Sequence, residues 1–380
     1  MFALTHCTLF DGEQLLERQA VVIKQDRIVA IQPETTLDAD LPRHSLNGAL
    51  LSAGFIDLQL NGCGGVMFNN DISTRTLDTM HRTNLGSGTT SFLPTLITSP
   101  DQDMQQAVAV TQDYMARHRH RVLGLHLEGP YTNLERKGIH PAAQIRQLEE
   151  PMLAFLCRHA AVIATITLAP ECNNPAHIRR LRAAGILVAM GHTAASYDEA
   201  MAGFDAGVGF ATHLYNAMTP TLNGRSPGAV GAVFDSETVY AGIIVDGVHV
   251  HDANVRLAHK VLGPRLCLVT DATAAAGAGP ELTRFDFCGT PVLVRDGRCV
   301  DEHGTLGGSA LTMIAGVKNL VERVGLPLEE ALRMASLYPA RALGLDHELG
   351  AIAVGKVANL VVLSRQLDVK TTLVNGRFST

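Results

Sequence analysis

The feature of this sequence that most constrains its fold is the alternation of short apolar runs with longer amphipathic stretches. Eight runs have the length of buried strands, and they lie at residues 55–60, 89–93, 122–127, 164–168, 186–190, 209–212, 241–245 and 267–270. Stretches with the apolar spacing of helices lie between or after them, among them residues 101–117, 174–184 and 309–324. Since eight βα units close a parallel barrel, the pattern predicts the α/β fold class and a (β/α)8 TIM-type barrel.

The two ends of the chain have a different character. Strand-like patterns fill much of residues 2–10, 20–31 and 358–378. Such β-rich ends on either side of a βα middle predict one small β-sandwich domain formed from both chain termini. Its expected extent is residues 1–52 and 346–380, which leaves residues 53–345 for the barrel.

The balance of charges argues against nucleic acid and membrane partners. The chain has 31 Lys and Arg against 37 Asp and Glu, for a formal net charge of −6, so it offers no general attraction to polyanions. No apolar run reaches the roughly 18 residues that a membrane span requires. One basic cluster, residues 117–121, lies at the end of a predicted helix, where cations favour the helix dipole, and we interpret it as a solvated helix end rather than a binding patch.

The start of the chain and its cysteines indicate the compartment. The segment MFALTHCTLFDGE lacks the basic stretch and long apolar stretch of a secretory signal. The 7 cysteines are odd in number, scattered, and form no C-x-x-C pair. We therefore expect free thiols in a cytoplasmic protein.

Polar residues stand at the ends of several of the predicted strands. They are Gln59, Asn61, Glu128, His192, His213 and Asp271. In a parallel barrel the carboxyl ends of the strands carry the active site, so these side chains should converge on one mouth. An open doubly wound sheet would spread them along a crevice instead.

Glu128, His192 and His213 form a normal three-ligand set for a catalytic divalent metal, and zinc suits two imidazoles and a carboxylate best. Taken singly, each is more often a hydrogen-bonded structural residue. Asp271 beside such a metal is placed to act as general acid and base in hydrolysis of a carbon–nitrogen bond. The alternative for Asp271 is a helix N-cap.

Three further residues lie in loops that follow the predicted strands. His140 and His249 are either solvated loop residues or substrate contacts, and the sequence by itself does not separate these interpretations. Arg225 stands in the Gly- and Pro-rich segment LNGRSPGAVG. An isolated arginine is typically a surface residue, but a guanidinium in such a loop suits phosphate.

Taken together, the motifs resemble the N-acetylglucosamine-6-phosphate deacetylase family of the amidohydrolase superfamily along nearly the whole chain. The matching segments are LSAGFIDLQLNGCGG, GLHLEGPYTN, KGIHP, MGHTAAS, THLYNAM, GIIVDGVHV, LVTDATAAAG and DEHGTLGGSALTM. The order of LEGP, THLYNAM and the DGxH segment distinguishes this family from dihydroorotases, which share the barrel and its histidines.

The resemblance implies a reaction and a set of roles. The reaction is hydrolysis of the acetamide of N-acetylglucosamine 6-phosphate by a homodimer or higher oligomer. Glu128, His192 and His213 match the metal ligands, and Asp271 matches the catalytic acid/base. The matching substrate-binding positions are Ile139, His140, Asn216, Ala217, Arg225, Asp246, Gly247, Val248, His249, Leu306, Gly307 and Gly308, with one contact expected from the neighbouring subunit.

The first strand departs from relatives that hold two metals. Those relatives have an H-x-H pair at the end of this strand, where this chain has Gln59 and Asn61. Amides are poor metal ligands beside imidazole. We therefore expect the second metal position to be lost. One divalent ion should bind per subunit, and zinc fits the ligands best.

Two competing functions remain open at this stage. One is an amidohydrolase that acts on another N-acyl sugar or a cyclic amide. The other is a non-catalytic binding protein, which the intact set of three ligands and the strand-eight aspartate disfavour.

Overall fold

The computed structural model describes residues 1–379, and its centre is a barrel of eight parallel strands. Numbered with all other strands along the chain, they are β6 (Phe55–Leu60), β9 (Thr89–Ile97), β10 (Leu125–Glu128), β11 (Ile163–Leu168), β12 (Leu187–Met190), β13 (Val208–Ala211), β14 (Tyr240–Ile244) and β15 (Leu266–Val269). They follow one another in chain order, which confirms the eight predicted strands. Because both faces of the barrel strands are covered, every residue of β6 and β9 is buried, including polar residues such as Asp57 and Gln59.

Helices surround the barrel. They are α1 (Thr74–Leu85), α2 (Asp101–Arg117), α3 (Glu150–Arg158), α4 (Pro175–Ala183), α5 (Tyr197–Ala206), α6 (Gly228–Asp235), α7 (Asp252–Leu262), α8 (Met313–Asn319), α9 (Leu328–Ala335) and α10 (Leu337–Ala342). Local sequence sets their starts: Ser196 caps α5 in a capping box with Glu199, and Asn174 caps α4 ahead of Pro175. Across residues 1–379, no helix combines the length and the apolar character needed to cross a membrane.

Strands β6 and β15 meet at the seam of the barrel, where a buried carboxyl joins them. Asp57 on β6 is fully buried and accepts hydrogen bonds from the Thr270 backbone N–H at 3.2 Å and from the Thr270 hydroxyl. The Asp271 backbone N–H donates to the Gln59 carbonyl at 3.0 Å. Burial raises the pKa of Asp57 to about 7 even though the Thr270 hydroxyl lowers it. The seam therefore contains an acid that holds its proton well above the ordinary pH range for aspartate.

Both chain ends contribute to a second sheet of eight strands. The strands are β1 (Phe2–Phe10), β2 (Leu15–Glu17), β3 (Gln19–Lys24), β4 (Arg27–Pro33), β5 (Arg43–Ala53), β20 (Leu360–Leu363), β21 (Val369–Val374) and β22 (Arg377–Phe378). Antiparallel pairing of β5 with β20, for example Leu51 opposite Val362, joins the N-terminal half to the C-terminal half. The sheet has its own apolar core, supplied by strands from both ends of the chain. The predicted terminal β-domain is thus present.

Two small sheets were not predicted from the sequence. A hairpin, β7 (Gly62–Cys63) and β8 (Val66–Met67), follows the first barrel strand. After the eighth comes an antiparallel sheet of β16 (Arg284–Phe287), β17 (Thr290–Arg295), β18 (Arg298–Val300) and β19 (Leu306–Ser309). The helix predicted to begin at residue 309 was wrong at its start, because Ser309 ends β19 and donates its backbone N–H to the Asp271 carbonyl at 2.8 Å. Helix α8 begins only at Met313 and continues into a π-helical turn at Leu320–Val324.

Candidate active site

The carboxyl ends of the barrel strands surround a cavity of about 440 Å³. Five of the six polar strand-end side chains named from the sequence line it: Asn61, Glu128, His192, His213 and Asp271. The sixth, Gln59, lies directly behind them in hydrogen-bond contact with two members of this set. The fold thus brings all six together, as the barrel topology requires of residues at the same end of its strands.

Glu128 lies at the centre of a buried cluster with two histidines. Its Oε1 is 2.9 Å from His213 Nε2 and 3.2 Å from His192 Nε2, and the two ring nitrogens are 3.1 Å apart. Burial by itself raises the pKa of the Glu128 carboxyl, but its contacts with His192 and His213 outweigh burial and hold that pKa well below its ordinary value. A carboxylate and two imidazoles therefore converge where water is largely excluded.

The orientation of His192 indicates that this cluster is arranged to hold a cation. The His192 Nδ1 is 2.8 Å from the Arg136 carbonyl oxygen, which accepts hydrogen bonds and never donates them. Nδ1 therefore carries a proton, and in the neutral ring the Nε2 lone pair faces the Glu128 carboxylate. Two electron-rich groups in contact require a proton or a metal ion between them. The donor set fits a divalent metal, because the second ring nitrogen is fixed by a backbone carbonyl as in known metal-binding histidines.

His140 also reaches this cluster. One ligand atom each from Glu128, His140 and His192 lie within 4.8 Å of one another. Burial lowers the pKa of His140 well below its ordinary value, so its ring is neutral. Its Nδ1 pairs with the Thr98 hydroxyl at 2.8 Å. The structure therefore offers four side chains as metal ligands, and His213 makes the tightest trio with Glu128 and His192.

Asp271 is held by the two amides of the first strand. Asn61 Nδ2 donates to Asp271 Oδ1 at 2.7 Å, and Gln59 Nε2 donates to the same oxygen at 3.1 Å. Burial, followed by the negative charge of Glu128, raises the pKa of Asp271 to about 6. The carboxyl can therefore exchange a proton near neutral pH, and Oδ2 is the oxygen that these amides leave free.

The same hydrogen bonds show what Gln59 and Asn61 do in place of histidines. Gln59 Nε2 also donates to Glu128 Oε1 at 3.1 Å, so its amide N–H groups point at two carboxylates. A donor N–H has no lone pair to offer a metal. The two amides position the carboxylates that face the cavity.

Three of the polar strand-end residues adopt a left-handed backbone conformation. The φ angles are +48° at His192, +33° at His213 and +49° at Asp271. Non-glycine residues adopt positive φ uncommonly and at an energetic cost, and such residues concentrate at functional sites. Each strand turns sharply at this residue, which aims the side chain across the mouth of the barrel.

The far side of the cavity is lined by His249, which a neighbouring carboxylate orients. Asp246 accepts from the backbone N–H groups of Val248 and His249 at 2.8 and 2.9 Å, and its Oδ2 is 2.6 Å from His249 Nδ1. His249 therefore presents Nε2 to the cavity. Burial by itself raises the pKa of Asp246. Hydrogen bonds from the His249 ring and from the backbone N–H groups of His249 and Val248 outweigh burial and hold that pKa below its ordinary value.

Other residues named from the sequence are divided between the cavity wall and its support. Ile139, His140, Asn216, Ala217, Leu306 and Gly308 line the wall. Gly308 has φ +67°, and a Cβ there would lie 2.8 Å from the Asp271 carbonyl oxygen, so only glycine fits. A Cβ on Gly307 would lie 2.5 Å from Ile139 Cδ1, and one on Gly247 would lie 2.0 Å from the Arg323 guanidinium. Those two glycines permit close packing around the cavity.

Arg225 lies away from this cavity. It lines a separate groove with Leu222, in the loop between β13 and α6. Leu222 is 70% exposed, so the loop projects from the chain into solvent. The cavity of a single chain thus does not include the arginine that the sequence associated with phosphate.

The inserted sheet contributes cavity residues that the sequence analysis missed. Phe287, Gly304 and Thr305 line the wall from this sheet and its loops. Their signal in the sequence is weak, because β18 has three residues and the strands are half-exposed. Thr98 was also missed, and its contact with His140 has no sequence pattern by which to find it.

Comparison with known proteins identifies the family of this chain. The Amidohydrolase family model matches residues 50–378, and the NagA composite domain model matches residues 1–51. The chain is 47% identical to N-acetylglucosamine-6-phosphate deacetylase of Haemophilus influenzae over 99% of both chains. It is 36% identical to N-acetylgalactosamine-6-phosphate deacetylase of a Shewanella species, over 95% of this chain and 92% of that one.

A solved structure extends the agreement to three dimensions. The crystal structure of N-acetylglucosamine-6-phosphate deacetylase from Pasteurella multocida has 50% sequence identity and a TM-score of 0.98, and the match covers 100% of this chain and 99% of that one. The match spans both the barrel and the terminal sheet. The chain belongs to the amidohydrolase family.

Proposed function

We propose that this protein hydrolyses the acetamide of N-acetyl-D-glucosamine 6-phosphate to D-glucosamine 6-phosphate and acetate, as in amino-sugar catabolism and recycling. The observation that carries the proposal is the buried trio of Glu128, His192 and His213 facing Asp271 across one cavity. The 47% identity to a deacetylase of this specificity supports the choice of substrate.

The family is metal-dependent. We assign one divalent ion per chain to Glu128, His192 and His213, and zinc fits these ligands best. Such an ion supplies Lewis acidity, which polarises the scissile carbonyl and makes water a better nucleophile near neutral pH. Gln59 and Asn61 direct N–H groups at carboxylates, which supports a single ion. His140 is then free to hydrogen-bond the substrate acetamide.

Asp271 moves the proton in this mechanism. Its Oδ2 takes a proton from the attacking water, and the raised pKa lets the same carboxyl give that proton to the departing amine. The amides of Asn61 and Gln59 hold Oδ1, so the carboxyl does not rotate between the two transfers.

The sugar and its phosphate occupy the rest of the cavity in this proposal. His249, oriented by Asp246, meets the sugar phosphate through Nε2, together with Asn216, Ala217 and the 306–308 turn. Arg225 lies outside the cavity of its own chain. We assign it to the phosphate bound in the neighbouring subunit of a homodimer, which fits a guanidinium on a projecting loop.

Organisation and compartment are the remaining parts of the proposal. We place the terminal domain at residues 1–52 and 346–380 and the catalytic barrel at 53–345. The 7 cysteines are unbonded in the structure, which supports a cytoplasmic setting.

Acetate release from three substrates tests the function. We expect turnover of N-acetylglucosamine 6-phosphate, with a kcat/KM at least about tenfold below it for the unphosphorylated sugar, because charge-assisted bonds to phosphate contribute roughly 1.5–3 kcal/mol each. N-acetylgalactosamine 6-phosphate, the C4 epimer, is the third substrate, since one relative is named for it. Higher kcat/KM for the epimer, or indifference to phosphate, would overturn the assigned substrate.

A further inference from the structure

A second cavity, of about 820 Å³, lies at the end of the barrel opposite the candidate active site. The carboxyl ends of α1 and α2 border it, together with the segment after α2 and strands β21 and β22 of the terminal sheet. Barrel helices run antiparallel to the strands, so their carboxyl ends mark the amino-terminal face of the barrel. The proposed reaction makes no use of this face.

Arginines dominate the lining of this cavity, which we call the arginine cavity. They come from three separate parts of the chain: Arg82, Arg117, Arg119, Arg121 and Arg377. Among residues 1–379, two carboxylates, Asp26 and Asp78, line the same space. Five guanidinium groups against two carboxylates leave an excess of positive charge in a chain whose formal net charge is −6. Their mutual repulsion favours binding of an anion.

Ordinary ion pairs account for three of these arginines. Asp78 Oδ2 is 3.5 Å from Arg82 Nε, and Asp78 Oδ1 is 3.8 Å from Arg121 Nη1. Arg117 pairs with Asp113 one turn earlier on α2. Arg82 and Arg117 also stand in the last turns of their helices, where cations favour the dipole. The solvated helix end expected from the sequence therefore explains these positions.

Arg119 and Arg377 have no such explanation. Within residues 1–379, neither guanidinium has a carboxylate within the 4.0 Å of an ion pair. Arg119 follows the end of α2, and Arg377 lies on β22, far away along the chain. The two are brought close by Asn375, near Arg377, whose side-chain amide donates to the Arg119 carbonyl across a separation of 256 residues. The fold thus brings to one space two cations that have no carboxylate partner among residues 1–379.

A buried imidazole lies behind the same wall. His81 lines the arginine cavity and is 2% exposed, and its Nδ1 has no hydrogen-bond partner among the described residues. Burial, followed by the charges of Arg121 and His118, lowers its pKa to about 3, so the ring is neutral. A buried polar atom without a hydrogen-bond partner is uncommon in folded proteins.

We propose that the arginine cavity binds a phosphate-bearing small molecule, with Arg119 and Arg377 as its charge partners, at a site separate from the substrate cavity. Guanidinium groups match phosphate oxygens with two parallel N–H bonds. The volume lies within the roughly 300–1,000 Å³ of small-molecule sites. The acidic character of the whole chain disfavours a nucleic acid as the occupant.

Calorimetric titration of the full-length, metal-loaded protein with fructose 1,6-bisphosphate tests this site. We expect the bisphosphate to bind the wild type, and the double variant Arg119→Gln/Arg377→Gln to bind it at least about tenfold more weakly, as loss of charge-assisted bonds requires. The matched control is Arg365→Gln, an exposed arginine outside both cavities, which should bind as the wild type does. A second variant, Arg119→Lys/Arg377→Lys, keeps the charge and should retain part of the affinity.

Kinetics separate this site from the substrate cavity. The Gln double variant should keep the wild-type kcat/KM for the deacetylation substrate, since neither arginine lies near the candidate active site. Equal affinity of wild type and Gln double variant for the bisphosphate would overturn the proposal. So would inhibition that is purely competitive with substrate and unchanged in that variant, because the bisphosphate would then occupy the substrate cavity alone.

Discussion

Asp271 shows how neighbouring residues set the chemistry of one side chain. It is an aspartate with a pKa of about 6, because burial and then the charge of Glu128 disfavour its ionised form. The amides of Gln59 and Asn61 oppose that trend by donating hydrogen bonds to Oδ1. The result is a carboxyl with a fixed orientation and a proton that exchanges near neutral pH.

The variant Asp271→Asn tests the role of that proton. We expect kcat to fall at least about 10²-fold, the usual size of a general acid–base contribution, while metal content and substrate KM stay near the wild-type values. The measurement is steady-state acetate release together with elemental analysis of the same sample. Turnover within a few-fold of the wild type would assign proton transfer to another group.

Metal content tests the assignment of ligands residue by residue. Fully active protein should contain about one tightly held divalent ion per chain, because Glu128, His192 and His213 make one open three-ligand shell. His192→Ala should lose that ion, whereas Gln59→Ala should keep it, since the Gln59 amide donates hydrogens to carboxylates. Activity that rises only as a second equivalent of metal binds would contradict the single site.

At the scale of strands and helices, the sequence predicted the barrel well and its insertions poorly. The eight barrel strands are buried on both faces and are therefore apolar runs that stand out from their surroundings. Strands β16–β19 are short and half-exposed, so their residues do not differ from those of loops. Ser309 was placed in a helix because its pairing with Asp271 is a contact between distant segments.

A similar limit applies to the candidate site. Strand-end position was enough to name Glu128, His192 and Asp271, because topology alone brings such residues together. The contact of His192 with the Arg136 carbonyl depends on loop conformation, and so does the separation of Arg225 from the cavity. Neither follows from spacing along the chain.

The seam between β6 and β15 should make stability depend on pH through Asp57. Its folded pKa of about 7 lies above its unfolded value, so the folded state binds the proton more tightly. The stability that this proton provides is fully present below about pH 4 and is lost as the pH rises towards 7. A rise in the pKa of Asp57 from 3.8 to about 7 corresponds to about 4 kcal/mol at most.

Comparison of Asp57→Asn with the wild type isolates this contribution. In metal-free protein, the free energy of unfolding of the wild type should fall relative to that of Asp57→Asn as the pH rises from about 4 to 7, because asparagine has no proton to lose. Urea denaturation at several pH values measures it. A difference that does not change with pH would mean that Asp57 is ionised in the folded protein.

At the scale of the whole molecule, the position of Arg225 makes a prediction about assembly. The loop projects from the chain, with Leu222 70% exposed, and Arg225 lines a groove separate from the cavity that holds His249. In a dimer with twofold symmetry, each subunit contributes to its partner the same residues that the partner contributes to it. Arg225 of one chain would then complete the phosphate site of the other.

Mixing two impaired variants tests this exchange. Arg225→Ala alone should raise KM for the phosphorylated substrate, and Asp271→Asn alone should abolish turnover. In a mixed dimer, the chain with Arg225→Ala keeps its own Asp271 and receives Arg225 from its partner, so one of two sites is complete. When equal amounts of the two variants reassociate at random, half of the dimers are mixed, and one site in each mixed dimer is complete. A quarter of all sites are then complete, so the mixture should show about a quarter of the wild-type kcat/KM, measured at low substrate concentration. If Arg225 served its own chain, no site in any mixed dimer would be complete, and the mixture would show only the average activity of the two separate variants.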